Sequence, residues 1–384
     1  MRRHDWRRCK TIVDVFSALA SAVLDDGLVT HLGDPVREQR ALIAGTALSP
    51  LGDRTVVELR GNDRLTWLDS ITSQSVARLA PGESTELLVL DPQGRVEHAA
   101  AIFDDGVSAW LIADAADAEG LAAWLSRMVF RADVTVALRP ELAVIGFFAG
   151  GPAEQTVQRA AAAPAGIPVI WADPWPHVRP GGHQYHRGEA HPGADFHWRA
   201  AVVDADATAA LVADPEIVWA GSLAAEALRV AAWRPRWARE VDERSLPHET
   251  DWIRSAVHLD KGCYRGQETV AKVHNLGHPP RRLAALHLDG SDDLLPAPGS
   301  PVLAGEEEVG HVTSVARHHE LGPIALAVLA RRAPVGDLVV RTPDGDVAAA
   351  QEVIVPADAG ATADVPRLTR LSRRPSAPDP RDAR

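Results

Sequence analysis

The last part of the chain limits the possible folds most strongly, because six short apolar runs follow one another there with turn signals between them. The runs span residues 283–288, 301–303, 309–316, 324–329, 338–340 and 347–355. No stretch with the length and period of a helix separates them. Short strands at this spacing predict a small all-β barrel.

A Gly/Pro cluster at residues 277–280 marks the boundary before this barrel. The length of 384 residues favours two or three domains. We predict an N-terminal extension at 1–30, an α+β region of two intertwined subdomains at 31–278, a barrel domain at 279–355 and a disordered tail at 356–384. The tail is rich in Pro, Ala, Asp and Arg and has too little apolar content for a core.

The α+β region opens with a pattern of the order β-α-β-β-β-α-β between residues 54 and 138. A strand at 55–59 is followed by a helical stripe at Leu65, Leu68 and Ile71, and two strands at 85–90 and 96–103 flank a Pro/Gly turn. The order favours an antiparallel sheet with helices on one face. The sequence also predicts strands at 142–148, 169–171 and 201–203 and a helix at 220–232.

Charge and cysteine content exclude several classes of protein. A net charge of −12 argues against general binding to nucleic acid or to an acidic membrane. The chain has two cysteines, Cys9 and Cys263, too few for a disulfide framework or an iron–sulfur centre. The N-terminal segment resembles neither a signal peptide nor a membrane span. These features favour the cytoplasm.

Residues 171–198 combine several Trp residues with His177, His183, His186, His191 and His197. A metal site is one interpretation, since His is a common zinc ligand, but there is no HExxH motif and no helix to set a ligand spacing. We favour a solvated loop and predict no metal site.

Residues 261–268, the KGCYRGQE segment, hold a thiol, two cations, an amide, a phenol and a carboxylate with no apolar period. Gly262 and Gly266 permit backbone angles or close approaches that a side chain would block. Cys263 lies between Lys261 and Arg265 in sequence, a setting that favours a thiolate. The alternative is an ordinary turn with a free cysteine. Residues 269–273, TVAKV, alternate as a strand would.

The KGCYRGQE segment resembles the K-G-C-Y-x-G-Q-E signature of the YgfZ proteins, which are folate-binding relatives of the glycine cleavage T-protein. The resemblance extends over residues 54–355, through LRGND at 59–63, LDPQGR at 90–95 and LRVAA at 228–232. It implies an α+β fold of three domains in a ring-like cloverleaf, with antiparallel sheets packed by helices, a C-terminal barrel and a reduced folate in the central opening.

The resemblance further implies a tetrahydrofolate-binding protein that acts in assembly or repair of iron–sulfur enzymes, its clients, with Cys263 as the reactive thiol. For the flat pterin the chain offers hydrogen-bonding groups on Gln267, Glu249 and Asp91. For the anionic tail it offers Arg229, Lys261 and Arg281. Tyr264, Gly266 and Glu268 complete the predicted folate-binding set.

Several roles stay open at this stage. Arg229 could face solvent, and Glu268 could brace the segment by an ion pair. The rival function is a folate-dependent one-carbon transferase acting on a small amine. The chain departs from the T-proteins where they carry acidic residues, with the run Glu97-His98-Ala99 at the hairpin and Ala231 after LRV, so enzymatic turnover is not predicted either way. In a third interpretation, a non-catalytic scaffold, the folate is only a structural ligand.

Overall fold

The computed structural model describes residues 13–291 and 293–363. Its α-helices are α1 Val13–Phe16, α2 Pro35–Ile43, α3 Arg64–Ile71, α4 Ala115–Met128, α5 Pro152–Ala160, α6 Ala205–Ala213, α7 Ser222–Ala231, α8 Trp237–Glu240 and α9 Gln267–Leu276. Its strands before the barrel are β1 Val23–Asp25, β2 Leu28–His31, β3 Ala47–Pro50, β4 Arg54–Arg60, β5 Ser84–Leu90, β6 Val96–Asp104, β7 Ser108–Asp114, β8 Thr135–Arg139, β9 Ala143–Phe148, β10 Ile170–Ala172, β11 Trp198–Val203 and β12 Val218–Trp219. The barrel strands are β13 Arg281–Leu288, β14 Pro301–Ala304, β15 Glu307–His318, β16 Gly322–Ala330, β17 Asp337–Thr342 and β18 Gly345–Val353.

The first sheet has the order β5-β6-β7-β4-β8, with all neighbours antiparallel. The predicted order of strands and helices is confirmed. Helix α4 covers one face through Leu121 and Leu125, which are four residues apart and fully buried. The turn at residues 91–94 closes the β5–β6 hairpin with Gly94 at φ +76°.

The second sheet has the order β10-β11-β9-β3-β12. Its neighbours are antiparallel except β3 and β12, which pair in parallel. The strands predicted at 142–148, 169–171 and 201–203 are confirmed. Asp204 caps α6, since its Oδ1 accepts from the Ala207 amide at 2.8 Å.

The six predicted C-terminal strands form a closed barrel of order β13-β16-β15-β14-β17-β18. Its interior is aliphatic and includes Leu286, Val312, Leu329 and Val340, each no more than 1% exposed. The predicted α+β class, with antiparallel sheets packed by helices and a small barrel, is confirmed.

The strand expected at residues 269–273 is wrong, because these residues lie in helix α9. Gly266 begins the helix at φ +85°, and Val270 and His274, four residues apart, are buried on its inner face. Five residues of apolar alternation were too few to distinguish a strand from this amphipathic helix.

The solvated loop expected at residues 171–198 is also wrong in part. Trp175, Tyr185 and His191 are at most 9% exposed. The Trp175 indole donates to the Ala232 carbonyl at 2.8 Å, and the His191 ring lies 5.3 Å from the Trp233 ring. These three side chains therefore belong to the core rather than to a solvated surface.

The predicted extension and tail lie partly outside the described residues, at 1–12 and 364–384. Within the described part, Phe16 and Val29 belong to the core of the second sheet, and Ala359 is 1% exposed. The predicted domain boundaries remain predictions. Among residues 13–291 and 293–363, no helix combines the length and apolar character that a membrane crossing requires.

Candidate functional site

A cavity of about 1040 Å³, counting the space at its mouth, lies between the two sheets and α7. Ala99, Ile112 and Asp114 of the first sheet and Trp171 and Trp198 of the second form opposite parts of its wall. A wider cleft adjoins it and shares part of that wall, including Arg54, Asp114 and Arg236. A concave site between structural layers is a typical place for a small molecule to bind.

Three charged side chains, Arg234, Glu86 and Asp173, form one side of the cavity. The guanidinium of Arg234 donates to Glu86 Oε2 at 2.7 Å and to Asp173 Oδ2 at 2.9 Å. The Trp252 indole also donates to Glu86 Oε2, at 2.9 Å. Glu86 Oε1 is buried and accepts no hydrogen bond from any described residue. It is therefore an acceptor that a ligand donor could use.

The two buried carboxyls Asp173 and Asp114 differ in acidity because they have different neighbours. Burial raises the pKa of Asp173 to about 6, with the Glu86 charge adding to the effect and Arg234 only partly offsetting it. Burial acts in the same direction on Asp114, but the guanidiniums of Arg236 and Arg54 outweigh it and lower the pKa to about 2. The cavity wall thus holds two different carboxyls: Asp114 is firmly ionised, and Asp173 takes up a proton near pH 6.

Flat aromatic side chains supply part of the apolar wall. Trp171, Trp198, Trp252 and Phe196 all line the cavity. The Phe196 and Trp198 rings are nearly parallel, with an interplanar angle of 15°. Gly146 makes room for this arrangement, since a Cβ there would lie 2.1 Å from the Trp198 ring. Such walls suit a planar ligand.

Arg229, on α7, is the predicted site residue that lines the cavity. Its Nε and Nη2 donate to the two carboxylate oxygens of Glu226 at 2.8 and 2.6 Å. Nη1 donates to the Arg234 carbonyl and to Glu240 Oε2, and Nη2 donates also to Ser314 Oγ. All five N–H groups of Arg229 are used within the protein. The expectation that Arg229 could face solvent is wrong, since it is 7% exposed.

Lys261 lies outside the cavity and holds the end of α3. Its ammonium donates to the carbonyls of Asp69, Thr72 and Gln74 at 2.5, 3.0 and 2.7 Å. These carbonyls stand at and just beyond the helix C-terminus, where intrahelical partners run out. The three ammonium donors are thus used on the backbone.

The rest of the KGCYRGQE segment packs on the turn of the β5–β6 hairpin. A Cβ on Gly266 would lie 2.5 Å from the Asp91 carbonyl oxygen, so the two backbones meet directly. The Asp91 carboxylate accepts from the Arg95 amide at 2.8 Å, and the Gln267 amide donates to the Lys261 carbonyl at 3.1 Å. The predicted pterin partners Asp91 and Gln267 thus serve local structure.

Tyr264 is buried, and its hydroxyl has no partner among the described residues. Cys263 beside it is exposed. Arg265, its other neighbour, pairs with Glu97 at 2.5 Å. Glu268 is exposed in the first turn of α9, where its charge favours the helix N-terminus. The segment therefore presents its thiol at the surface while its cations are engaged elsewhere.

Glu249 and Arg281 form a separate ion pair at the start of the barrel. Arg281 Nη2 donates to Glu249 Oε2 at 2.8 Å, and Nη1 pairs with Asp242 at 2.6 Å. Of the predicted site residues, all of which the structure describes, Arg229 alone lines the cavity. The others form two groups, one on the KGCYRGQE segment with the hairpin turn and one at the start of the barrel.

Sequence reasoning missed the cavity residues Glu86, Asp173, Arg234 and Trp252. A signal for Glu86 was available, since it is a charged residue directly before the apolar run of β5. Asp173 directly follows a strand, and Arg234 lies in a run of Arg and Trp after α7. No local pattern, however, indicated that these segments meet.

Trp233 has φ +57° directly after the C-cap of α7. This is a position that favours glycine. The side chain is 3% exposed and contacts His186 and His191. Its packing compensates for the strained backbone.

In the part of the chain that the structure describes, no three His, Cys, Asp or Glu side chains are grouped so as to hold a metal ion. Three of the five His residues of segment 171–198 pack against aromatic rings. His186 and His191 both contact Trp233, and His183 contacts Tyr185.

Comparison with known proteins gives the fold and one domain. Residues 281–359 match the glycine cleavage T-protein C-terminal barrel domain. The crystal structure of the glycine cleavage system aminomethyltransferase T from Bartonella henselae superimposes with a TM-score of 0.68, covering 89% of this chain and 95% of that one at 15% identity. The chain thus has the fold of an aminomethyltransferase T.

Two curated relatives match over shorter lengths. The aminomethyltransferase of Moorella thermoacetica is 36% identical over 115 residues, 30% of each chain. A chloroplastic protein of Arabidopsis thaliana, At1g60990, provisionally named a transferase, is 34% identical over 94 residues, 24% of this chain. The matches span 30% and 21% of the relatives' own lengths. These findings support the T-protein superfamily, while the YgfZ branch remains a prediction.

Proposed function

We propose that the chain binds tetrahydrofolate in the cavity and acts in the assembly or repair of iron–sulfur enzymes, with Cys263 as its reactive thiol. The observation that carries the first part is Glu86 Oε1, a buried acceptor without a partner among the described residues, in an aromatic-walled cavity. A pterin is flat and carries N–H donors, so its chemistry fits such an acceptor and such walls.

The residues that would hold the folate follow from the wall. Glu86 would accept from the pterin, Trp252 and Trp171 would pack on its rings, and Arg234 would keep Glu86 in place. Arg54 and Arg236 line both the cavity and the adjoining cleft. They would attract the anionic tail of the folate if the tail extends from the cavity into the cleft. Tetrahydrofolate, when bound, supplies a carrier for one-carbon units.

The test is the affinity for tetrahydrofolate, measured by calorimetry on wild type and Glu86→Gln. The variant keeps the size of the side chain but removes the charge that strengthens the hydrogen bond, so we expect binding to weaken by about ten- to a hundredfold. Glu189→Gln, at an exposed carboxylate, is the control. Equal affinity of wild type and Glu86→Gln would contradict the assignment of Glu86.

The predicted role of Lys261 is tested in the same assay. Because its three donors hold the end of α3, Lys261→Ala should lower the stability of the protein more than its affinity for folate. A large loss of affinity at unchanged stability would instead favour direct contact between the KGCYRGQE segment and the ligand.

The role of Cys263 is supported by its exposure on a segment whose backbone is fixed by Gly266 and Lys261. In cells that lack the native protein, Cys263→Ser should reduce the activity of client iron–sulfur enzymes while leaving folate affinity unchanged. Undiminished client activity would refute the role of the thiol and favour a scaffold in which the folate is a structural ligand.

The alternative, a one-carbon transferase acting on a small amine, is favoured by the identity with an aminomethyltransferase over 115 residues. Against it, His98 and Ala231 stand where the resemblance leads one to expect acidic residues, and His98 bonds Asp117 at 2.6 Å and does not line the cavity. Incubation with tetrahydrofolate and methyl or aminomethyl donors, followed by detection of methyl- or methylene-folate, would establish transfer.

A further inference from the structure

A buried carboxylate, Glu240 of α8, connects the C-terminal barrel with the cavity wall. Its side chain is fully buried. Glu240 Oε2 accepts from Arg229 at 3.1 Å and from the Arg236 amide at 2.8 Å, while Oε1 accepts from two hydroxyls of β15, Thr313 at 3.0 Å and Ser314 at 2.5 Å. One carboxylate thus joins the arginine in the cavity wall to the barrel.

A bulge in β15 makes this arrangement possible. Successive residues of a regular strand point to opposite faces, so the side chains of Thr313 and Ser314 would normally diverge. The pairing with β16 shifts between Val312 and Ser314, which leaves Thr313 as the extra residue. Bulges of this kind redirect a side chain. Here both hydroxyls bond the same carboxylate.

Ser314 differs from Thr313 in one contact. Its hydroxyl accepts from Arg229 Nη2 at 2.5 Å and donates to Glu240 Oε1, so it completes the five hydrogen bonds of that guanidinium. The Thr313 hydroxyl shares its one proton between Glu240 Oε1 and the Leu326 carbonyl and makes no hydrogen bond to Arg229. Ser314 therefore supports Arg229 directly, whereas Thr313 only attaches the barrel to Glu240. Variants of the two neighbouring residues can distinguish these roles.

We propose that Ser314 is a positioning residue of the cavity, through which the barrel fixes the guanidinium of Arg229 in the wall. Removal of its hydroxyl leaves a buried N–H of a charged group without a partner, and the guanidinium shifts to find another. The ligand then meets a reshaped wall, because a binding site depends on the residues that lock its side chains in place. This inference rests on the proposed folate cavity.

The test compares tetrahydrofolate affinity of the full chain in Ser314→Ala and Thr313→Ala. We expect Ser314→Ala to bind about tenfold more weakly, the effect of one hydrogen bond to a charged group, and Thr313→Ala to stay within about twofold of wild type. Ser314→Thr, which keeps the hydroxyl, should recover most of the affinity. Equal affinities of Ser314→Ala and wild type, or equal losses in both alanine variants, would overturn the inference.

A second measurement needs no ligand and separates this inference from the proposed function. Amide hydrogen exchange of α7 should rise in Ser314→Ala and not in Thr313→Ala, because the loss of one bond loosens Arg229. If wild type fails to bind tetrahydrofolate, the proposed function fails, while a selective rise in exchange still supports the link between barrel and wall. Unchanged exchange of α7 in both variants contradicts the link.

Discussion

In the cavity wall, Arg234 pairs with the side chains of Glu86 and Asp173, whereas in the KGCYRGQE segment Lys261 donates to three backbone carbonyls. The charged side chains of the wall pair with one another, and Glu86 Oε1 is left as a buried acceptor without a partner among the described residues. The segment uses its cation to fix a helix end and exposes its thiol. The polar residues of the KGCYRGQE segment thus mainly hold its own backbone in place. The cavity wall, by contrast, is formed by residues that are distant in sequence.

The largest expected effect comes from breaking the ion network of the wall. Arg234→Met leaves Glu86 and Asp173 without their shared cation in a buried place, so the free energy of unfolding should fall by about 3–5 kcal/mol. Urea denaturation measures it, with Arg95→Met at an exposed arginine as the control. A loss below about 1 kcal/mol would mean that the wall tolerates unpaired carboxylates and resembles a surface.

The next effect distinguishes two glycines of the KGCYRGQE segment. Gly266→Ala should lower the free energy of unfolding by roughly 2 kcal/mol, because φ is +85° and the new Cβ would lie 2.5 Å from the Asp91 carbonyl oxygen. Gly262→Ala should change it by less than about 0.5 kcal/mol, since no other atom lies within 4 Å of that Cβ. Similar values for both would show that the segment does not rest on the hairpin turn.

A smaller effect concerns the pH dependence of the wall. Because burial raises the pKa of Asp173 in the folded chain from 3.8 to about 6, the folded state binds this proton more tightly than the unfolded chain does. Its contribution to stability therefore falls as the pH rises from about 4 to about 6 and is constant above that range.

Asp173→Asn has no proton to lose at this position. The free energy of unfolding of this variant, measured at several pH values, should rise relative to that of wild type. We expect the difference to change by about 1 kcal/mol for each pH unit between pH 4 and 6. A difference independent of pH would show that Arg234 keeps Asp173 ionised throughout. Asp242→Asn serves as the opposite case, because a hydrogen bond from Arg281 lowers the pKa of this carboxyl. The free energy of unfolding of this variant should fall relative to that of wild type as the pH rises from about 2 to 4.

The smallest effect on stability is expected at Cys263. Cys263→Ser replaces an exposed side chain and should change the free energy of unfolding by less than about 0.5 kcal/mol. In a Cys9→Ser background, the thiol should react with an alkylating reagent without denaturant. A thiol that reacts only after denaturation would show that Cys263 is buried, and the contrast between the buried cavity wall and the exposed KGCYRGQE segment would not hold.

Much of the fold followed from periodicity, since the barrel strands and the first sheet depend on local apolar alternation. The failures have local causes as well. Residues 269–273 were too short to show their helical period, and the aromatic residues of 171–198 were assigned to solvent because Pro and Gly surround them. The site was harder, because Glu86, Asp173, Arg234 and Trp252 belong to four separate segments, whereas the KGCYRGQE segment is contiguous and visible at once.

The bond between Arg229 and Ser314 also has a consequence for biosynthesis. The two residues are 85 positions apart, and the barrel that carries Ser314 is made after both sheets. At about 5–20 residues per second, a ribosome needs roughly 4–17 seconds to add that length. The nascent chain therefore contains both cavity-lining sheets for several seconds before Arg229 has its last partner, and only then can the cavity reach its final shape.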